Sequence, residues 1–273
     1  MPRALVLRTA GTNCDAEMVR AFELAGASVG LVHLDALVRA PERIADFDLI
    51  GFPGGFSYGD DIASGRIFAA KVRIGLYPAL RAAARRGVPM IGICNGFQVM
   101  VQAGLLPGPD PGCQWPEAAP PEPTASLAVN ASGRFIDTWV RVRAEAASRC
   151  LWTRPWVELA ARPEAEDILR LPTAHGEGRL VLASPDVLAR LERAGQVALR
   201  YVDNPSGSTA DIAGLCDATG RIFGLMPHPE RYLDWNRHPF WTRMDPMARN
   251  GLTPGRLMFE AAVRSVGATL QPA

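Results

Sequence analysis

The sequence predicts an α/β fold: a doubly wound, mostly parallel sheet flanked by helices, flavodoxin-like, with added β-strand and loop insertions. Three observations predict it. Short apolar runs alternate with helically spaced stretches through the first hundred residues, the pattern of a parallel sheet covered on both faces. Glycines stand where the helical patterns end. Beyond a proline-dense excursion comes a series of strand-like stretches with one helix among them.

Taken in order, Ala4 to Leu7 reads as a buried strand, Gly11-Thr12-Asn13 turns the chain, and Asp15 to Ala25 has helical spacing closed by Gly26. Ser28 to Leu34 and Leu49 to Phe52 read as further strands. Ile67 to Arg86 is mostly helical, with Pro78 expected to kink or split it, because proline lacks a backbone donor and crowds the preceding turn. Val88 to Ile93 is a strand, and Gly96 to Ala103 a short helix closed by Gly104. Residues Pro107 to Pro123 are dense in proline and glycine and read as a surface loop. Strand-like stretches follow at Phe135 to Val142, Ile168 to Leu171, Arg179 to Ala183, Val197 to Val202, Ile212 to Cys216 and Ile222 to Leu225, with a helix over Asp186 to Arg193. A helix from about Pro254 to Val266 closes the chain. Residues 1–273 are read as a single domain carrying the loop at about 107–123.

With 29 basic and 28 acidic side chains the net charge is +1, which gives no electrostatic reason to expect nucleic acid or an anionic membrane as a partner. The five cysteines are scattered without close pairing, so they read as thiols in a reducing compartment and not as a metal site. No run approaches the roughly 20 apolar residues of a membrane span, and the N-terminal apolar run is too short for a signal peptide. A soluble, cytoplasmic protein is expected.

The sharpest local signal is Gly92-Ile93-Cys94-Asn95-Gly96, between a strand and a helix. Such a turn projects its central side chain from a tight bend at the top of the sheet, where ligands bind in this fold class. A free thiol is mostly protonated at pH 7, and a helix N-terminus supplies only about 0.3–1 kcal/mol, so a nucleophile here calls for a positioned base. Taken alone, the pentapeptide fits a small buried apolar cysteine equally well.

Leu225-Met226-Pro227-His228-Pro229-Glu230 follows an apolar strand, and its prolines keep it out of an α-helix. In an extended chain, residues two apart share a side at about 6.6 Å, so Glu230 can orient one nitrogen of His228 and leave the other for a nucleophile. Of the other histidines, His33 ends a strand, His238 lies in an aromatic stretch that reads as surface packing or a partner contact, and His175 sits in a glycine-rich turn, Ala174 to Gly178, that could border a site.

Pro53 to Asp60 follows the strand ending at Phe52, and its paired glycines can expose backbone N–H groups. One donor from Gly55 and the N–H of Asn95 would make a two-point oxyanion hole. No Walker-type or dinucleotide glycine motif is present, so this chain itself is not expected to bind ATP.

At these residues the sequence resembles the class I, triad-type glutamine amidotransferases, and among them the glutaminase subunits of phosphoribosylformylglycinamidine synthase. The matching stretches are Gly11 to Asp15, Pro53 to Asp60, Gly92 to Gln98 continuing through Gly104 to Gly108, Ala174 to Gly178, Asp211 to Gly214, and Gly224 to Arg231, spread over nearly the whole chain. The resemblance implies Cys94 as nucleophile, His228 as base and Glu230 as orienting acid, with Gln98 and the Gly55–Phe56 backbone helping to hold L-glutamine. It also implies a synthase partner that receives ammonia and uses ATP and Mg, with a small accessory subunit; no cofactor or metal is expected in this chain. The proline-rich excursion and Asn130 to Phe135 look more like the glutaminase portion of the fused form of the synthase, and Asp61 to Gly65 departs from the commonest continuation of the Tyr-Gly-Asp loop. The competing readings are a glutaminase serving another synthase, a PfpI-type cysteine hydrolase, and a non-catalytic interaction subunit.

Overall fold

In the computed structural model, which describes residues 1–270, the unbroken apolar runs become the middle of one large sheet. The chain forms β1 (Arg3–Arg8), α1 (Asp15–Leu24), β2 (Ser28–His33), α2 (Leu34–Arg39), β3 (Leu49–Phe52), α3 (Arg66–Gly75), α4 (Tyr77–Arg85), β4 (Met90–Ile93) and α5 (Asn95–Gln102). Then come β5 (Ala125–Ala128), β6 (Ile136–Ala144), α6 (Arg154–Leu159), α7 (Ala165–Ile168), β7 (Arg170–His175), β8 (Arg179–Leu182), α8 (Pro185–Arg193), β9 (Val197–Tyr201), β10 (Ile212–Cys216), β11 (Ile222–Leu225) and α9 (Pro254–Leu270). Every residue of β3, β4 and β11 is buried, as expected of strands covered on both faces.

Among the described residues the sheet has nine strands in the order β2-β1-β3-β4-β11-β10-β9-β6-β7. The first five are mutually parallel, and from β11 onward every neighbour is antiparallel. The sheet is therefore mixed: a doubly wound half in 2-1-3-4 order, extended by the strands of the second half of the chain. β5 and β8 pair separately as an antiparallel ribbon.

Neighbouring residues of β3 show the two covering layers. A side chain at Gly51 would run into Met18 and Phe22 of α1, while Phe52 packs on Phe68 of α3 with ring centroids 6.2 Å apart. Successive strand residues face opposite ways, so α1 and α3 cover opposite faces. On the α1 face, Phe22, Trp152 and Phe259 meet edge to face, which binds α9 to α1.

Pro78 splits the helical stretch as predicted: α3 ends at Gly75 and α4 starts at Tyr77, with Pro78 in its first turn, where a missing N–H costs nothing. Leu34 does not end a strand but begins α2. The strand expected over Ile168 to Leu171 is displaced to Arg170–His175, since the apolar pair Ile168-Leu169 closes α7 and enters the core there. The proline-rich excursion forms no regular element but is tied down: the Tyr77 hydroxyl donates to the Pro116 carbonyl (2.8 Å), Gln196 Nε2 to the Pro107 carbonyl (3.0 Å), and Arg190 pairs with Asp110.

Candidate active site

β4 and β11 are parallel neighbours, with Ile93 beside Leu225, so the residues that follow them leave the sheet side by side. Cys94 is buried and carries φ 52°, ψ −108°, a left-handed conformation that a non-glycine residue adopts at a cost of about 1–3 kcal/mol. The bend is held by the Cys94 N–H donating to the Leu225 carbonyl (2.8 Å) and by the Gln98 N–H donating to the Cys94 carbonyl (3.1 Å). At Gly96 any side chain would collide with the Phe52 carbonyl, so the bend is possible only with glycine there. The thiol points toward the Ala174 carbonyl at 3.6 Å.

His228 and Glu230 are both buried, and His228 Nδ1 lies 2.6 Å from Glu230 Oε1. The chain is less extended than the sequence suggests: Pro229 opens a single 3-10 turn over Pro229–Arg231, and the carboxylate still reaches the ring. The His228 N–H donates to the Pro172 carbonyl (2.8 Å), which ties this segment to β7. Burial alone would lower the His228 pKa, but the Glu230 carboxylate and the Cys94 and Cys14 sulfurs outweigh it and hold the ring well above the ordinary histidine value. An imidazolium is thereby held beside the Cys94 sulfur.

Cys14 is a buried neighbour of this group that sequence reasoning left among the scattered thiols. Its sulfur donates to Asn13 Oδ1 (3.2 Å) and receives Arg231 Nη2 (3.1 Å), and it lies within 4.8 Å of ligand atoms of His228 and Glu230. The signal available in the sequence was its place in the matching stretch Gly11 to Asp15.

The segment after β3 is clamped to the segment after β1. The Asn13 N–H donates to the Gly54 carbonyl (3.4 Å) and the Phe56 N–H to the Gly11 carbonyl (2.9 Å). Between these two bonds the Gly55 N–H has no protein acceptor among the described residues. Gly55 has φ 139°, and a β-carbon there would lie 2.7–2.9 Å from Asn13, Gly11 and Thr12. The Asn95 N–H is at the first position of α5, where no carbonyl lies one turn back to receive it. Two unpaired backbone donors thus stand next to Cys94, an arrangement able to receive a negatively charged oxygen.

Phe56 commits its N–H to Gly11 and its carbonyl to Gly59, leaving a half-exposed ring stacked on Phe135 at 6.4 Å. Gln98 is buried with both ends of its amide held by protein: Oε1 accepts from Asn95 (3.0 Å) and Nε2 donates to the Glu177 carbonyl (2.6 Å).

The turn after β7 is shaped by buried Asn130, which sequence reasoning did not single out. Its Nδ2 donates to the carbonyls of Arg134 (2.9 Å) and His175 (2.8 Å), and its Oδ1 accepts the Gly178 N–H (3.1 Å). That pattern fixes the amide, so His175 Nδ1 is the donor in its 3.1 Å contact with Asn130 Oδ1. Burial, and then the charge of His228, lower the His175 pKa to about 4. His175 does border the site, as a neutral ring. His238 is a correction: it is buried among Trp139, Tyr232 and Phe240 and is not a surface group.

Comparison with known proteins follows the same lines. The family described as a CobB/CobQ-like glutamine amidotransferase domain matches residues 1–266. A phosphoribosylformylglycinamidine synthase subunit PurQ from Dehalococcoides mccartyi is 42% identical over 246 residues, 88% of this chain and 89% of the relative. The protein of the same name from Methanococcus maripaludis is 38% identical over 247 residues, 85% of this chain and 83% of the relative. Among solved structures, a chain of PurLQS from Thermotoga maritima superimposes with a TM-score of 0.68 at 32% identity, covering 97% of this chain and 98% of that one.

Proposed function

This chain belongs to the CobB/CobQ-like glutamine amidotransferase family, and we propose that it is the glutaminase subunit of a phosphoribosylformylglycinamidine synthase. It hydrolyses glutamine to glutamate and ammonia for the conversion of formylglycinamide ribonucleotide to formylglycinamidine ribonucleotide in purine biosynthesis. The observation that carries this reading is the convergence of Cys94, His228 and Glu230 beside the unpaired N–H groups of Gly55 and Asn95.

In the proposed reaction the Cys94 thiolate attacks the side-chain amide carbon of glutamine, and the developing oxyanion is received by the Gly55 and Asn95 N–H groups. The His228 imidazolium gives its proton to the leaving ammonia, and the neutral ring then takes a proton from water as the water attacks the thioester, releasing glutamate and restoring the thiolate. Glu230 fixes the ring and its tautomer throughout. Gly55, Phe56 and Gln98 frame the glutamine, Phe56 through its ring at the mouth and Gln98 through the backbone it holds.

The ammonia goes to a synthase subunit, with a small accessory subunit as a further member of the complex. We assign ATP and Mg to that partner. Among the described residues no helix is long and apolar enough to cross a membrane, and we read the complex as cytoplasmic. In the reconstituted complex, Cys94→Ala should abolish glutamine-dependent amidine formation and spare the reaction supplied with ammonium salt. Unchanged glutamine-dependent turnover would end this reading, and a parental complex active with a different acceptor would move the subunit to another synthase.

A further inference from the structure

Behind the elbow, a row of side chains that takes no part in the acyl-transfer steps joins the two oxyanion donors. The two hydrogens of Asn95 Nδ2 go to Asp60 Oδ1 (3.3 Å) and Gln98 Oε1 (3.0 Å), and Gln98 Nε2 goes to the Glu177 carbonyl (2.6 Å). Asp60 Oδ1 also accepts the Gly65 N–H (3.3 Å), and Asp60 Oδ2 accepts the Ser64 hydroxyl (3.0 Å). Asn95 is 2% and Gln98 3% exposed, so water cannot replace a lost partner and each orphaned amide would seek another arrangement.

The row also closes on itself. Its far end, Glu177, lies on the turn that follows β7, whose Ala174 carbonyl faces the Cys94 sulfur, and its near end, Asn95, directly follows Cys94. Asp60 lies on the same loop as Gly55, and that loop is strained, with φ 55° at Tyr58 and 53° at Asp60. Left-handed backbone at non-glycine residues persists only where surrounding contacts over-determine it, and the bonds to Ser64, Gly65 and Asn95 are such contacts.

Building on the glutaminase reading, we infer that Asp60 is a positioning residue for the oxyanion site: its carboxylate clamps Asn95 and so keeps the Asn95 N–H in register with the Gly55 N–H. Asn95 passes the constraint to Gln98, and Gln98 passes it to the Ala174–Gly178 turn. Loops from three strands then hold one geometry around the reacting carbonyl. The effect belongs to the transition state, where the oxygen carries its charge, and should appear in kcat before KM.

The test uses the full complex with glutamine, with circular dichroism of each variant chain and its co-elution with the synthase as the control for folding, and ammonium-supported turnover as the control for the synthase. Asp60→Ala should lower glutamine-dependent kcat by about 10- to 100-fold, because a donor misplaced by about 1 Å has lost most of its effect, and should change KM by less than about threefold. Asp60→Asn keeps an oxygen for Asn95 and Gly65 and offers an N–H to the Ser64 oxygen, so it should restore kcat to within about threefold. Asn95→Ala cuts the same row, and the double variant with Asp60→Ala should lose no more than the worse single variant. Parental kcat in Asp60→Ala, or fully additive losses, would overturn the inference. So would an equal rise in KM for the Ala and Asn variants, which would mean that the Asp60 charge contacts the substrate directly. If Asp60→Ala does not fold, the isosteric Asn and the Asn95→Ala variants decide by the same criteria. A parental complex without glutaminase activity would overturn both readings, whereas an active parent with an equally active Asp60→Ala would overturn this one alone.

Discussion

Glu230 Oε1 stands 2.6 Å from His228 Nδ1 with both side chains buried, so the carboxylate fixes at once the direction, the tautomer and the charge of the ring. Removing that charge while keeping the shape separates these effects. Glu230→Gln should lower kcat for glutamine by about 10²- to 10⁴-fold, as loss of the orienting acid does in comparable triads.

The same substitution has a pH signature. Burial pulls the His228 pKa down, and the carboxylate is the largest influence raising it, so the variant ring should titrate lower. In the parent, a folded-state value above the unfolded 6.5 contributes stability that is complete below about pH 6.5 and lost as pH rises through the folded value. Glu230→Gln should show a smaller loss of stability across that alkaline window, read from urea midpoints, with the ring followed by its proton NMR shift. An unmoved titration would remove Glu230 from the account.

Gly55→Ala tests the other half of the site. The added carbon meets three backbone positions at 2.7–2.9 Å, at a φ that alanine avoids. The loop must shift and carry its N–H away from the oxyanion, so kcat should fall by about 10²- to 10³-fold, with about 1–3 kcal/mol of stability lost. Ammonium-supported turnover in the complex should survive. Parental glutamine turnover would show that the donor lies elsewhere.

His175 makes the opposite electrostatic prediction to His228. Its folded value of about 4 lies below the unfolded 6.5, so between these the unfolded chain holds the extra proton. Its contribution is complete above about pH 6.5 and falls as acid is added, by about 3 kcal/mol on reaching pH 4. His175→Gln should flatten that acid limb in equilibrium unfolding; an unchanged slope would mean that the ring is accessible to protons in the folded state.

The parts legible in the sequence share one property: a local cause. The apolar runs of β3 and β11, the split at Pro78 and the elbow around Cys94 each follow from a few adjacent residues. The Cys94–His228–Glu230 set was readable because proline and glycine restrict its backbone so tightly. What was not readable depends on distant partners. Arg231 reaches Cys14 across 217 positions, Gln98 reaches Glu177 across 79, and Asn130 reaches His175 across 45. Short elements such as α2 and α6, six residues each, are too brief for periodicity to reveal. β7 was misplaced because its buried face includes Thr173 and His175, polar types that only the assembled site can satisfy.

Because β4 and β11 are rungs of one ladder, the gap between sulfur and imidazole is set by the fixed spacing of paired strands, about 4.8 Å, and by the bends that follow them. The peripheral ribbon and the proline excursion can lengthen, shorten or loosen without altering that gap. The reacting pair should come apart only when the central ladder itself melts, so loss of chemistry on heating should coincide with collapse of the whole molecule.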